Sequence, residues 1–342
     1  MKKRNKKTIT LILTIIIFIF LVENISKISF SEEEPKQDIQ KTRYYFSENP
    51  LILFELTPNS YARSDSIKPN SEGLIDKEYS IIKPEGIIRI VAIGDSITEG
   101  VGTKFNESFV EVLEKELNER TNKSYEVINF GLSRYSSIQE IETLKTKALK
   151  YNPDIILWEY FLNDPAFEDP FVNYLKKVTS FKTDKLTLNM IDAPKNCYRD
   201  LNLKIFLNTL SEKSYFFKSI ISQERDIGNL EFYKEIHENI CYWKTVEYSF
   251  NELNKISKNN NITTIVTIFP ILTSFFKYPL LEVNNQVYEE AQKNNFTIID
   301  VLNLFKDYHP QDLIYQEGDN VHPNKLGHKL VAEELFNIIS QI

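Results

Sequence analysis

Four histidines, two cysteines and nine glycines in 342 residues leave few ways to build a functional site. The histidines and cysteines are not grouped at ligand spacing, which argues against a metal centre. The glycines form neither Gly-x-Gly-x-x-Gly nor a Gly-Lys-Ser/Thr loop, so the phosphate cradles of nucleotide-binding proteins are missing. Positive charge is in the minority. Forty-one Lys and Arg face 48 Asp and Glu, a net charge of -7, and no basic stripe runs through the body of the chain. Nucleic acid is therefore not an expected partner. There is no internal repeat.

What is present is a globular composition, 42% apolar and 26% charged, enough for one substantial domain with its own core. One stretch stands out. Ile90-Val91-Ala92-Ile93 reads as an apolar strand that stops at Gly94-Asp95-Ser96, with Gly100 and Gly102 before the next helical pattern. Such a serine sits at the carboxyl edge of a sheet, where open α/β sheets bind ligands. A serine there acts as a nucleophile only if a base reaches it. Asp319-Asn320-Val321-His322, near the other end of the chain, places an acid three residues before a histidine. Each piece alone has a plainer reading, a tight turn with a capping serine and a capped surface loop before Pro323. The Gly-x-Ser-x-Gly elbow is absent around Ser96.

Further strands follow in order. Ser124 to Gly131 reads as a second strand ending in Asn129-Phe130-Gly131, and Ile155 to Tyr160 as a third leading into Phe161-Leu162-Asn163-Asp164. Ile262 to Leu272, broken by Pro270, and Phe296 to Val301 read as the fourth and fifth. Between them, helical spacing of apolar residues runs from Glu107 to Asn122, Ser136 to Tyr151, Val287 to Asn294 and Leu326 to Ile339. Alternation of this kind calls for a parallel sheet covered on both faces.

With Gly94-Asp95-Ser96-Ile97, Gly131, Asn163-Asp164 and Asp319-Asn320-Val321-His322 in this order, the chain resembles the SGNH hydrolases, also called the GDSL family. The resemblance runs from about Arg89 to the C-terminus. It implies a three-layer α/β/α sandwich with a central parallel five-stranded sheet of flavodoxin-like type. It also implies a serine esterase without cofactor or metal: Ser96 as nucleophile, His322 as base, Asp319 orienting the imidazole. The oxyanion hole would consist of the Ser96 and Gly131 backbone N–H groups and the Asn163 side-chain amide. The same residues serve an O-acyltransferase, which passes the acyl group to a sugar hydroxyl, and a glycan-binding or assembly protein would keep them without catalysis.

Two positions depart from the family pattern. Ile97 stands for leucine, a conservative change. Phe161 stands where the third motif usually begins with glycine, and its ring is expected to narrow the acyl pocket or shift Asn163. Asp95 is expected to stabilise the turn. His328 is expected to be structural, and His237 and His309 to stand outside the site. Residues from Pro165 to about Lys244 interrupt the alternation with aromatic-rich, helical material, expected to overhang the site. Cys197 and Cys241 both fall there, as a disulfide or as two buried thiols.

The N-terminus has a composition of its own. Lys2-Lys3-Arg4-Asn5-Lys6-Lys7 precedes an apolar stretch from Ile9 to Val22, the pattern of an exported chain. No Ala-x-Ala site follows, which favours an uncleaved membrane anchor over a cleaved signal and places the catalytic domain outside the cytoplasm. The expected organisation is a basic tail and anchor over 1–30, a linker and N-terminal extension over 31–85, and an SGNH domain over 86–342 with an insertion at about 165–245. The extension resembles that of SGNH proteins near surface-polysaccharide pathways. The expected substrate is an acylated carbohydrate, with a lipid ester as the other possibility.

Overall fold

The structure, a computed structural model, describes residues 43–61, 67–165 and 230–342, together with Asn189, Ile191, Ala193, Lys195 and Cys197. The chain divides into two compact units, Met1–Gln37 with Ala193–Asp226, and Asp38–Asp192 with Ile227–Ile342. Of the first, only Ala193, Lys195 and Cys197 are described. The second carries the sheet and the site. The expected anchor and most of the expected insertion lie outside the described residues. Among the described residues, no helix is long and apolar enough to cross a membrane.

The described chain opens with an antiparallel hairpin, β1 (Tyr44–Phe46) and β2 (Phe54–Leu56). The main domain then runs β3 (Ile87–Ile93), α1 (Ser96–Glu99), α2 (Phe109–Arg120), β4 (Ser124–Asn129), α3 (Ser137–Thr146) and β5 (Ile155–Phe161). The last part of the expected insertion forms α4 (Leu230–Glu238) and the start of α5 (Ile240–Asn260), followed by β6 (Thr263–Phe269), α6 (Leu281–Lys293), β7 (Thr297–Asp300), α7 (Val301–Phe305), α8 (Pro310–Leu313) and α9 (Lys325–Ile339). Five parallel strands form one sheet in the order β4-β3-β5-β6-β7.

Parallel strands need long crossovers, and right-handed crossovers place them by direction. The step from β3 to β4 runs one way across the sheet, and every later step runs the other way. Accordingly α2 packs with α9, and α3 packs with α5. The product is the expected three-layer α/β/α sandwich. All seven residues of β5 are buried, as a central strand covered on both faces requires. Trp158 of β5 lies against Phe250 of α5 with ring centroids 4.6 Å apart, and Phe109 of α2 meets Phe269 of β6 at 6.0 Å.

The helix starts follow from local chemistry. Ser108 accepts the Glu111 N–H at the start of α2, and Ser136 with Gln139 forms a capping box at the start of α3. The direction in which successive strands are added reverses at β3, and that switch opens a crevice between the carboxyl ends of β3 and β5. The loops after β3, β4 and β5 all arrive at this edge.

Candidate active site

The turn after β3 is built around Asp95. This residue is fully buried, and its Oδ1 accepts the Ile97 N–H at 2.9 Å, capping α1. Ser96 is thereby set as the first residue of α1, only 8% exposed, with its Oγ 3.3 Å from Asp95 Oδ2. Its backbone N–H donates to no described group.

His322 reaches this serine from the far end of the chain. The loop that carries it is pinned on several sides. Tyr315 donates its N–H to the His322 carbonyl at 3.0 Å, Leu272 donates to the Asn320 carbonyl at 2.7 Å, and Ile314 bridges to Pro323. Asp319 closes a short Asx turn, its Oδ1 accepting the N–H groups of Val321 and His322 at 2.9 Å each. Its other oxygen, Oδ2, lies 2.8 Å from His322 Nδ1, and His322 Nε2 lies 3.0 Å from Ser96 Oγ. Burial pushes the Asp319 carboxyl up, but hydrogen bonds from the His322 ring and backbone outweigh it and bring the pKa down to about 2. An ionised Asp319 accepts the Nδ1–H, which fixes the tautomer with Nε2 free to accept from the serine hydroxyl.

Two further residues were expected at this edge, and the structure treats them differently. Asn163, just after β5, is half-buried and donates one Nδ2 hydrogen to Asp95 Oδ2 at 3.1 Å. The other hydrogen meets no described acceptor. Gly131, the other expected donor, has its N–H bonded to Asn129 Oδ1 at 2.9 Å. A Cβ at Gly131 would lie 2.6 Å from the Glu99 N and from the Thr98 Cβ, so glycine is needed there for the loop to pack on α1. Asn129 ties this packing together by donating its Nδ2 to the Thr98 carbonyl at 2.8 Å.

Phe161 is a correction. Its side chain is fully buried and meets Tyr233 edge to face, with centroids 6.0 Å apart. The ring belongs to the core and lines no open pocket. The remaining histidines stand apart from Ser96. His328 stacks on Phe109 and accepts its N–H at 3.1 Å, His237 bonds Tyr160 at 3.1 Å, and His309 caps α8. Burial holds His328 at about 3 and His237 at about 4, so both are neutral core residues. Cys197 and Cys241 are both disulfide-bonded and neither is free. Among the described residues no group of three His, Cys, Asp or Glu is arranged to hold a metal ion.

Sequence reasoning missed the supports of the site. Glu99, buried in α1, accepts from the N–H of Ser133 at 2.8 Å and from its hydroxyl, and pairs with Arg43 at 3.2 Å. Glu159, inside the apolar run of β5, lies under the Ser96 turn and accepts the Asp95 N–H at 3.2 Å. The signal was available: a lone carboxylate in a continuous apolar strand needs a partner.

The GDSL-like lipase/acylhydrolase family profile matches residues 90–335, and the chain belongs to that family. It is an enzyme that acts on ester bonds. The uncharacterized protein YpmR of Bacillus subtilis (strain 168) is 24% identical over 284 residues, 81% of this chain and 90% of that protein. Among solved structures, the acetyl xylan esterase AlAXEase is 16% identical with a TM-score of 0.44, covering 74% of this chain and 100% of its own. A lipase/acylhydrolase from Enterococcus faecalis is 15% identical with a TM-score of 0.43, covering 74% and 96%.

Proposed function

We propose that Ser96, His322 and Asp319 form the triad of a serine esterase that removes short acyl groups, acetyl above all, from an extracytoplasmic glycan. The observation that carries this reading is the continuous hydrogen-bonded path from Asp319 through His322 to Ser96, with steps of 2.8 and 3.0 Å. In the first half-reaction Ser96 Oγ attacks the ester carbonyl carbon while His322 Nε2 takes the hydroxyl proton. The tetrahedral oxyanion is held by the Ser96 N–H and the second Nδ2 hydrogen of Asn163. His322 returns the proton to the leaving alcohol, and an acyl-serine remains. A water, deprotonated by the same Nε2, then releases the acid and restores the hydroxyl.

The glycan target and the location draw on the N-terminus, where a lysine-rich tail precedes an apolar run, in keeping with a chain anchored in a membrane with its catalytic domain outside. The test is a turnover assay on a short-chain aryl ester and on an acetylated oligosaccharide, with a free sugar acceptor added. Released acid from both substrates supports the reading. Acylated acceptor formed faster than free acid would replace hydrolysis by acyl transfer, and turnover that survives Ser96→Ala would end the assignment.

A further inference from the structure

Four carboxyl side chains, Asp95, Glu140, Glu159 and Asp164, lie together beneath the Ser96 turn, each 1% exposed or less. Burial first, and their mutual repulsion second, hold Glu140, Glu159 and Asp164 well above the usual carboxylate range; burial also raises Asp95. The groups that bear on them most strongly are one another, with the His322 ring beside Asp95. Four uncompensated charges are not tolerated in a dry interior, so protons stay on the cluster at neutral pH.

Glu159 stands closest to the turn. Its Oε2 accepts the Asp95 N–H at 3.2 Å and the Thr98 hydroxyl at 2.9 Å. The contact is tight: a Cβ on Gly94 would lie 2.5 Å from that same oxygen. The Glu159 and Asp95 carboxyl groups would repel each other if both were charged, and a proton on Glu159 relieves that repulsion. Asp95 passes the constraint on, because it accepts from Ile97 N–H and Asn163 Nδ2, and its Oδ2 lies 3.3 Å from Ser96 Oγ. The other groups that face Glu159 are Glu140 from α3, Asp164 from the loop after β5, and the uncharged Thr98 of α1 and Thr267 of β6.

We propose that Glu159 is a positioning residue held as the neutral acid beside Asp95, and that this pair sets the Ser96 turn and the Asn163 amide in place. The proposal rests on the reading of Ser96 as nucleophile given above. Glutamine at 159 supplies the same acceptor and one donor without a charge, whereas leucine supplies neither.

The experiment compares wild type, Glu159→Gln and Glu159→Leu in ester turnover and in thermal unfolding at pH 5 and pH 8. Glu159→Leu is expected to lose kcat about 10- to 100-fold with KM little moved, and Glu159→Gln to recover most of that loss. A group whose folded pKa is raised binds more protons folded than unfolded, so stability falls as pH climbs above the unfolded value. Wild type is therefore expected to lose more of its unfolding temperature between the two pH values than Glu159→Gln does. Equal pH responses in the two proteins overturn the proton on Glu159 whether or not esters are cleaved. Full kcat in Glu159→Leu, or a Glu159→Gln variant as impaired as Glu159→Leu, overturns the positioning role. Wild type without any ester turnover would instead overturn the reading of the site itself.

Discussion

Asn163 holds Asp95 with one amide hydrogen, and in the proposed mechanism the other meets the developing oxyanion, so its truncation has a defined effect. Asn163→Ala is expected to lower kcat about 10²- to 10³-fold with little change in KM, as steady-state kinetics on a short-chain ester would read. Asp319 acts through His322, and its carboxyl is held down to about 2. A depressed folded pKa contributes stability that is present above the unfolded value of about 4 and lost as pH falls towards about 2. Urea midpoints of wild type and Asp319→Ala are thus expected to differ at neutral pH and to converge at the acid end. At this scale much of the site was legible. Gly-Asp-Ser after an apolar strand, and an acid three residues before a histidine, are short-range patterns, and Ser96, Asp319 and His322 meet in space. Gly131 was harder to read. A glycine at a strand end serves as a backbone donor or as a place for close packing, and the contacts with Asn129 and Thr98 that reveal the packing are not written in the motif.

The elements around the sheet were legible wherever they repeat a period. β3, β5, α2 and α9 follow the apolar spacing, whereas the start of α6 lies six residues earlier than expected, at Leu281 rather than Val287. The hairpin of β1 and β2 was not legible, because strands of three residues carry too little pattern. Its value comes from tertiary contacts. Phe54 is fully buried in a small second core with Leu132 and Tyr135, the Tyr135 hydroxyl donates to the Phe54 carbonyl at 2.8 Å, and Gln139 Nε2 donates to the Ile52 carbonyl at 2.9 Å. The hairpin thus braces the loop between β4 and α3 from outside the sandwich. Phe54→Ala is expected to cost about 3–5 kcal/mol, measured by urea unfolding, and Tyr135→Phe about 1–3 kcal/mol through the buried carbonyl it leaves unpaired.

Across the whole molecule, one sheet edge collects residues separated by most of the chain. The switch in the order of strand addition at β3 makes the crevice beside β5, and three loops and the segment before α9 fill it. The same edge concentrates buried acid, with Asp95, Glu140, Glu159 and Asp164 all raised above their ordinary values. Stability is therefore expected to decline as pH rises from mildly acid to mildly alkaline, the direction opposite to the Asp319 contribution, and thermal unfolding across that range would show it. The anchoring proposed for the N-terminus predicts that the full chain stays with membranes through a carbonate wash, and a mature chain beginning near Glu32 would contradict it. Family membership was legible because four short motifs keep their order over the length of the domain. The measurement that tests the central claim most directly is fluorophosphonate labelling of wild type, Ser96→Ala and His322→Ala, with the modified residue located by mass mapping. The account predicts one adduct on Ser96, none in Ser96→Ala and slow labelling in His322→Ala. A folded wild-type protein that takes no label, or takes it at another residue, would contradict the assignment of Ser96 as the nucleophile.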